Sequence, residues 1–305
     1  MTSIGFVGLG AMGGRIAGRL LAAGYEVHGY NRTRGKASSL VEQGLIWNDT
    51  PREVAAAVDI VFTMVSDDAA LDAVNSGPNG ILAGLKPGEV YVDMSTVSPA
   101  ASVAMSNRVS AVGARMLDAP VSGSVPQAES GTLTIMVGGD ERAFATAEPV
   151  LAKLGSKVAR IGSSGQGLVV KLAINISLAA QIVAFSEGLA LAERSGIDSA
   201  LAADVMSESP IGSAMLKARV PLILDLPKEA WFDVSLLHKD IRLALDAARP
   251  LGQPLPSAHT ADAIFVAAEH LGYAHRDIAA VHEVLGIHAS ETTALIDQLE
   301  KAKGV

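Results

Sequence analysis

The feature that most constrains this chain is a glycine pattern near its N-terminus, Gly8-Leu9-Gly10-Ala11-Met12-Gly13, which has the form G-x-G-x-x-G. The apolar run Ile4–Val7 precedes it directly, and a helical pattern follows it through Ala23. Strand, glycine turn and helix in this order form the context in which the pattern binds a dinucleotide. The first glycine permits the tight turn, the second lets the backbone approach a pyrophosphate, and the third lets helix and strand pack closely. A glycine-rich turn without a ligand is the alternative; we favour the dinucleotide site because further strand and helix units follow.

Six more strand candidates lie in the first half of the chain, with helical segments between most of them. They occupy residues 26–30, 60–65, 90–93, 116–118, 133–137 and 158–161. Several are continuous apolar runs, which is typical of parallel strands covered on both faces. After about residue 162 no strand-like run recurs, and helical patterns extend to the end. We therefore predict an α/β chain, with a Rossmann-type doubly wound sheet over residues 1–162 and an all-α domain for substrate binding and oligomerisation over residues 163–305.

The residues after the second predicted strand bear on the choice between NAD and NADP. An NAD-selective site normally has Asp or Glu about 20 residues after the glycine pattern, where the carboxylate binds the ribose 2′-hydroxyl. Here Asn31-Arg32-Thr33 stands in that place, followed by Arg34. Arginine offers a fork of donors to a 2′-phosphate, which a carboxylate would repel. The sequence favours NADP(H) over NAD(H), and solvated surface arginines are the alternative.

Two further strand ends are expected at the crevice where such sheets bind ligands, beyond the carboxyl ends of the strands. They read Met64-Val65-Ser66 and Asp93-Met94-Ser95-Thr96. We predict that the first run and Thr96 contact the ribose or the nicotinamide. Ser95 and Thr96 are also candidates to cap the helix that begins near Pro99.

A loop and a lysine are the candidates for the chemistry. The loop reads Asp118-Ala119-Pro120-Val121-Ser122-Gly123-Ser124. Its backbone N–H groups and two hydroxyls can hold a carboxylate, although an ordinary turn with local hydrogen bonds is the alternative. Lys171 lies in an apolar helical stretch, and Asn175, four residues on, shares its helix face. Partial burial lowers the pKa of a lysine toward the working pH, which suits a general acid–base; a structural lysine is the alternative.

Composition excludes several classes of function. The chain has no cysteine, and its seven histidines form no ligand set, so we expect no metal, no disulfide and no thiol catalysis. A net charge of −8 without a Lys/Arg cluster argues against nucleic acid as a partner. The N-terminus lacks a signal-peptide pattern, and polar residues interrupt the longest apolar stretch. We therefore expect no membrane span and a cytoplasmic location.

Together these motifs resemble the β-hydroxyacid dehydrogenase family, which includes 3-hydroxyisobutyrate dehydrogenase, tartronate semialdehyde reductase and glyoxylate/succinic semialdehyde reductases. The resemblance extends over nearly the whole chain. The matching segments are residues 5–13, residues 118–123, Gly165-Gln166-Gly167 with Lys171 and Asn175, and Phe232 with Lys239-Asp240.

The resemblance implies roles for the matching residues. It implies that Lys171 is the general acid–base and that Ser122 and Gly123 bind the substrate carboxylate. It implies that Thr96 and Asn175 help to place substrate and nicotinamide. Finally, it implies that Lys239 and Asp240 close the site from the helical domain, with Lys239 near the cofactor and Phe232 near the substrate. His238, beside Lys239, is expected to line the cleft.

Three departures from the family pattern bear on the substrate. Ser124 replaces the third residue of a common Ser-Gly-Gly, which resembles the glyoxylate and succinic semialdehyde reductase branch. Ile174 replaces the first of two adjacent asparagines, and residues 64–66 replace a common Met-Leu-Pro. We expect an NADP-dependent enzyme that interconverts a small, carboxylate-bearing hydroxyacid and its semialdehyde or keto acid.

Two other functions remain open on the sequence. One is an imine reductase-like enzyme, although the imine reductases usually have Asp or Tyr where this chain has Lys171. The other is a non-catalytic, dehydrogenase-like binding module, although such modules tend to lose the lysine. Whatever the function, the apolar helix after Lys171 is too long for one small helical domain to cover. This length predicts a homodimer or homotetramer formed through that domain.

Overall fold

The computed structural model describes residues 2–303, without the side chains of residues 299, 300, 302 and 303. The described residues form two compact units, and the division between them falls after Lys171. The first unit contains a sheet flanked by helices, and the described part of the second consists of helices and turns. The fold class predicted from the sequence is therefore confirmed.

The sheet is mainly parallel. Its strands are β1 Ile4–Val7, β2 Val27–Tyr30, β3 Ile46–Trp47, β4 Ile60–Thr63, β5 Val90–Asp93, β6 Arg115–Asp118, β7 Val121–Ser122, β8 Leu133–Gly139 and β9 Gly155–Gly162. Their order is β3-β2-β1-β4-β5-β6-β8-β7, with β9 paired to β8. Strand β1 has β2 on one side and β4 on the other, so the chain reverses its progress across the sheet at this point. A doubly wound sheet binds its ligand at such a switch point.

The central strands form because both of their faces are covered. Every residue of β1, β4 and β5 is buried, which agrees with the continuous apolar runs in the sequence. The rings of Phe6 and Phe62 stack across β1 and β4, with their centroids 6.0 Å apart. All seven predicted strands are present. The two-residue strands β3 and β7 were not predicted, because two residues carry no periodic pattern.

Beyond β6 the parallel order ends. Strand β8 runs antiparallel to both β6 and β7, whereas β9 returns parallel to β8. The prediction of a doubly wound sheet did not include the antiparallel direction of β8. Strands β6 and β7 run in the same direction along β8, with Asp118 opposite Gly138 and Ser122 opposite Thr134, and the predicted loop lies in this stretch.

Helices cover the sheet and form the second unit. They are α1 Ala11–Ala22, α2 Ser38–Glu42, α3 Pro51–Ala56, α4 Asp68–Asn75, α5 Pro99–Ala111, α6 Val125–Ser130, α7 Glu141–Leu151, α8 Gln166–Arg194, α9 Ser199–Glu208, α10 Ala214–Leu224, α11 Val234–Ala248, α12 Pro256–His270, α13 Val281–Gly286 and α14 Ala289–Lys303. Most of the longer ones begin at a side-chain cap, such as Asp140 for α7 and Asp233 for α11.

Helix α8 is the longest helix in the described part of the chain, with 29 residues. It is also the one described helix that is long and apolar enough to cross a membrane by length and composition alone. The core helices of soluble proteins share that composition, and in the most apolar window 44% of the helix is buried inside the protein. A helix that is apolar on all sides is typical of a position between other elements.

The second unit has its own apolar core. Phe185 and Leu189 of α8, Leu237 and Ile241 of α11, and Phe265 of α12 are at most 2% exposed. Burying a side chain of this size stabilises the fold by about 1.5–3 kcal/mol. Helix α11 is therefore fixed in the unit by one apolar face, and its remaining residues are available for polar contacts.

Candidate active site

The glycine turn after β1 has the geometry that its spacing predicts. Gly8 has a φ of +99°, and a Cβ atom there would collide with the Met64 carbonyl oxygen. A Cβ at Gly13 would collide with the Gly8 carbonyl oxygen and lie 3.0 Å from the ring of Phe6. Gly10, by contrast, has nothing within 4 Å of the position of its Cβ. The turn is thus closed at Gly8 and Gly13 and open at Gly10, where a pyrophosphate needs to approach.

The start of α1 lacks the side-chain cap that several other described helices have. Its N-cap residue is Gly10, no side chain accepts from its first N–H groups, and its first turn holds no acidic residue. Thr50, Ser98 and Asp140 supply side-chain caps to α3, α5 and α7. The N–H groups and dipole at the start of α1 therefore suit an anion, and the residues present fit the phosphates of a dinucleotide.

Asn31 holds the turn in place from the end of β2. Its Oδ1 accepts from the Leu9 N–H at 3.1 Å, and its Nδ2 donates to the Thr33 carbonyl at 3.0 Å. Arg32 follows on the surface, so its guanidinium is accessible to a ligand. Arg34 is engaged differently, because its guanidinium lies 5.2 Å from the centre of the Trp47 ring and 3.9 Å from Asp49.

A buried carboxylate joins the ends of β4 and β5. Asp93 Oδ1 accepts from the Thr63 hydroxyl at 2.7 Å and from the Ser95 hydroxyl at 2.6 Å. The Ser95 oxygen in turn accepts from the Val65 N–H at 2.9 Å. The run 64–66 and the run 95–96 are therefore held to one another at the carboxyl edge of the sheet, where both are predicted to contact the cofactor.

The prediction that Ser95 or Thr96 caps α5 is wrong. Neither Ser95 nor Thr96 caps this helix, because Ser95 is bonded to Asp93 and the N-cap is Ser98, whose Oγ accepts from the Ala101 N–H at 3.0 Å. The hydroxyl and N–H of Ser98 are themselves held by Asp68. Thr96 thus lies in the connection between β5 and α5 without a capping role.

Asp118 fastens the start of α8 to the end of β6. Its Oδ1 accepts from the Gly165 N–H at 2.7 Å, and its Oδ2 accepts from the Leu168 N–H at 3.1 Å. The carboxyl is 1% exposed, and burial raises its pKa to about 6 against the two backbone hydrogen bonds, which lower it. This contact spans about 50 residues, so it is not the local turn considered from the sequence. A Cβ at Gly138 or Gly167 would crowd this carboxylate.

The predicted carboxylate loop is partly strand and partly helix cap. Ser122 pairs with Thr134 in the β7–β8 ladder. Gly123 has a φ of +131°, and a Cβ there would lie 2.8 Å from the Leu133 side chain. The Ser124 N–H donates to Gln127 Oε1 at 2.9 Å as α6 begins. The N–H group of Ser124 is therefore already used within the protein.

Lys171 and Asn175 lie one turn apart on α8, as predicted. Lys171 is half-buried, and Asn175 is 1% exposed. Within the second unit, Asn175 Nδ2 donates to Asp240 Oδ2 at 2.6 Å, and Lys239 Nζ lies 2.9 Å from Asp240 Oδ1. The predicted residues Asn175, Lys239 and Asp240 are thus joined in one polar cluster between α8 and α11.

Phe232 lies in a turn that a buried ion pair holds in place. Asp277 is fully buried, is paired with Arg219, and accepts from the backbone N–H groups of Trp231 and Phe232 at 2.9 and 3.2 Å. The Arg219 guanidinium also lies 5.7 Å from the centre of the Trp231 ring. Sequence reasoning did not identify this pair, because its two members lie 58 residues apart.

Two protein-family models match this chain. Residues 3–162 match the family model described as the NAD binding domain of 6-phosphogluconate dehydrogenase. Residues 165–285 match the model described as NAD-binding of NADP-dependent 3-hydroxyisobutyrate dehydrogenase. The two models together cover most of the chain.

Individual relatives agree with these matches. The chain is 35% identical over 283 residues to glyoxylate/succinic semialdehyde reductase 2, chloroplastic, of Arabidopsis thaliana, covering 93% of this chain and 79% of that protein. It is 33% identical to 2-hydroxy-3-oxopropionate reductase of Escherichia coli K12, covering 95% and 99%. The crystal structure of 3-hydroxyisobutyrate dehydrogenase from Salmonella typhimurium superposes with a TM-score of 0.87 at 32% identity, covering 93% and 100%.

The glycine turn, the uncapped α1 and the helical second unit thus occur together with end-to-end similarity to dehydrogenases and reductases of hydroxyacids. We conclude that this chain belongs to the β-hydroxyacid dehydrogenase family and is an NAD(P)-binding oxidoreductase that acts on CH–OH groups.

Proposed function

We propose that this enzyme uses NADP(H) to interconvert a small hydroxyacid and its semialdehyde or keto acid, with Lys171 as the general acid–base. The observation that carries the proposal is the contact of Asp118 with the first turn of α8. Through it, the strand that leads into Ser122 and Gly123 is bonded to the helix that carries Lys171. A group that binds a carboxylate and a group that exchanges a proton are therefore fixed within one unit of the protein.

Lys171 supplies the proton chemistry in this proposal. When bound, the nicotinamide supplies the hydride to the carbonyl carbon or takes it back from the alcohol carbon. In the reductive direction the Lys171 ammonium donates a proton to the carbonyl oxygen, and in the oxidative direction the neutral amine takes it from the hydroxyl. Asn175, which is anchored to Asp240, positions the oxygen on which this proton moves.

Ser122 and Gly123 bind the substrate carboxylate in the proposal. A turn of successive N–H groups with a hydroxyl forms an anion-binding concavity without a cationic side chain. Ser124 contributes less than the sequence indicates, because its N–H is already bonded to Gln127. A short acid fits this arrangement best, and we place glyoxylate and succinic semialdehyde first among the substrates to assay. Phe232, held by Asp277, contacts the rest of the substrate chain.

Arg32 carries the preference for NADP(H) in the proposal. No carboxylate follows β2 at the position that binds a ribose 2′-hydroxyl, and Asn31 is used to hold the glycine turn. Arg32 is exposed and binds the 2′-phosphate, while Lys239 contacts the cofactor from α11. The match of residues 165–285 to a model described by an NADP-dependent enzyme supports this choice.

A panel of carbonyl acids tests the proposal. Semialdehydes and keto acids with two to five carbons, together with the corresponding hydroxyacids, are assayed with NADPH and NADP⁺, and cyclic imines are included as the comparison class. We expect oxidation of NADPH by at least one short carboxylate-bearing carbonyl compound. Turnover of imines alone, or of no carboxylate-bearing carbonyl compound, would contradict the assignment of the loop.

A further inference from the structure

His238 is buried on α11 between two carboxylates of α12. Its side chain is 7% exposed, its Nε2 lies 3.1 Å from Asp262 Oδ1, and its Nδ1 lies 3.1 Å from Glu269 Oε2. Asp262 and Glu269 are seven residues apart, two turns of α12, and so face the ring from the same side of that helix. The ring therefore does not line a cleft as the sequence suggested, but joins two helices of the second unit.

This geometry favours the doubly protonated form of the ring. A neutral imidazole carries one N–H, so one of its nitrogens would point a lone pair at a carboxylate oxygen 3.1 Å away. Only the doubly protonated ring donates to both carboxylates. Burial lowers the pKa of His238, but the hydrogen bonds to Asp262 and Glu269 outweigh it, so the net pKa lies above 6.5. In the described part of the chain these two carboxylates are the ionisable groups that face the ring from the packed elements.

The helix that His238 anchors also carries the predicted cofactor and substrate contacts. Residues 238 and 240 are about 200° apart around a helix and so point to opposite sides of α11. His238 is bonded to α12 on one side, and Asp240 is bonded to Asn175 of α8 on the other. Lys239, between them, is paired with Asp240. The rotation of α11 about its axis is thus set by its apolar face together with a charged contact on each flank of that face.

We propose that His238 is a positioning residue whose doubly protonated ring holds α11 against α12. The ring fixes the rotation of α11 about its axis in which Asp240 is bonded to Asn175 and Lys239 is paired with Asp240. The proposal rests on the function proposed above, in which Lys239 contacts the cofactor. Loss of the proton leaves one carboxylate facing a lone pair and releases one of the two contacts. The affinity for NADPH is then expected to fall as the pH rises through the pKa of this ring.

The charge of the ring is measured first, by ¹⁵N-edited NMR of the histidine side chains. His238→Gln assigns the resonance, and His270→Gln, at an exposed position on α12, is the matched control. We expect both ring nitrogens of His238 to be protonated at pH 7, and the milder variant Glu269→Gln to lower the pKa of His238 because it removes one of the two facing carboxylates. A ring with one unprotonated nitrogen at pH 7 would overturn the proposal.

The positioning role is tested next by measuring the dissociation constant of NADPH as a function of pH, with fluorescence titration. We expect the wild type to bind NADPH roughly 10-fold more weakly above the pKa found by NMR, because release of α11 would cost about one charge-assisted contact between Lys239 and the cofactor. In Glu269→Gln the weakening should move to lower pH together with that pKa. If the pKa moves and the binding curve does not, the ring has a structural role only. Neither readout needs turnover, so failure of the proposed carbonyl chemistry is recognised separately by the substrate panel.

Discussion

At the scale of single residues, Lys171 is the proposed acid–base group, and its position on α8 bears on that role. It is the one lysine of the apolar segment that opens α8, it is half-buried, and it lies one turn after the backbone group that Asp118 binds. A lysine on an exposed helix face would be solvated and would keep its proton.

Lys171→Ala should abolish most of the turnover and leave cofactor binding nearly intact. A positioned acid–base group contributes about 10²–10⁴-fold to the rate, so kcat should fall by that factor while the dissociation constant of NADPH changes little. Steady-state kinetics and fluorescence titration measure the two quantities. Lys153→Ala, at an exposed position of the same unit, is the control. Turnover near the wild-type value would remove Lys171 from the mechanism.

Arg32→Ala should reduce the discrimination between NADPH and NADH. The wild type is expected to have the lower KM for NADPH, and loss of a charge-assisted contact of about 1.5–3 kcal/mol should remove one to two decades of that preference. Arg34→Ala is the matched comparison, since that guanidinium already lies over Trp47 and should matter less. A wild-type enzyme with equal KM for both cofactors would contradict this assignment.

The ionisation of Asp118 predicts a distinct pH dependence of stability. Its folded-state pKa is raised from 3.8 to about 6, so the folded protein binds the proton more tightly than the unfolded chain. The stability that this carboxyl contributes is full below pH 3.8 and is lost as the pH rises through about 6. From pH 5.0 to 7.5 the wild type should lose roughly 1 kcal/mol relative to Asp118→Asn. Urea unfolding of both proteins at both pH values measures the difference. Parallel pH curves for the two proteins would show that this carboxyl is not perturbed by burial.

At the scale of elements, the turn before α11 depends on one ion pair. Removing one partner of a buried pair leaves the other charge uncompensated, so Asp277→Asn should cost about 3–5 kcal/mol of stability. It should also release the N–H groups that fix Trp231 and Phe232, and so raise the KM of the carbonyl acid. Asp72→Asn removes an exposed partner of Arg108 and should change little by comparison. Thermal or urea unfolding with steady-state kinetics checks both effects, and equal stability of the two variants would contradict the role given to the pair.

The elements also show what could be predicted from the sequence and what could not. Strands β1, β4 and β5 were predicted because continuous apolar runs mark strands covered on both faces, and α8 because its pattern is long. The direction of β8 was not predictable, because a run of apolar residues has the same pattern in parallel and antiparallel strands. The contacts of Asp93, Asp118, His238 and Asp277 were missed because each joins residues that only the folded chain brings together. The glycine turn was predicted in full, since all of its requirements lie within six neighbouring residues.

At the scale of the whole molecule, exposed apolar residues of the second unit bear on its assembly. Ile197 lies just before α9, and Leu201 and Val205 lie one turn apart on that helix, 59% and 60% exposed. A row of apolar side chains in water is costly and marks contact surfaces. We therefore propose that the protein forms a homodimer or homotetramer through the helical unit.

Light scattering at micromolar concentration checks this assembly. Leu201→Glu with Val205→Glu should shift the protein toward the monomer, because a buried unpaired carboxylate is unfavourable at an interface. Val41→Glu, at an exposed apolar position of the first unit, is the control and should leave the mass unchanged. A wild-type monomer under these conditions would refute the proposal.

The missing cap of α1 links the lifetime of the protein to its cofactor supply. Several other helices of the chain bond their first N–H groups to a side chain, whereas those of α1 have no side-chain acceptor and suit an external anion. A ligand that binds only the folded state stabilises it by mass action, by about 2.7 kcal/mol when its free concentration is about 100 times its dissociation constant. A cell depleted of the dinucleotide would therefore lose this protein faster to unfolding and proteolysis. The turn that binds the cofactor would in this way make the amount of folded enzyme depend on the concentration of the dinucleotide.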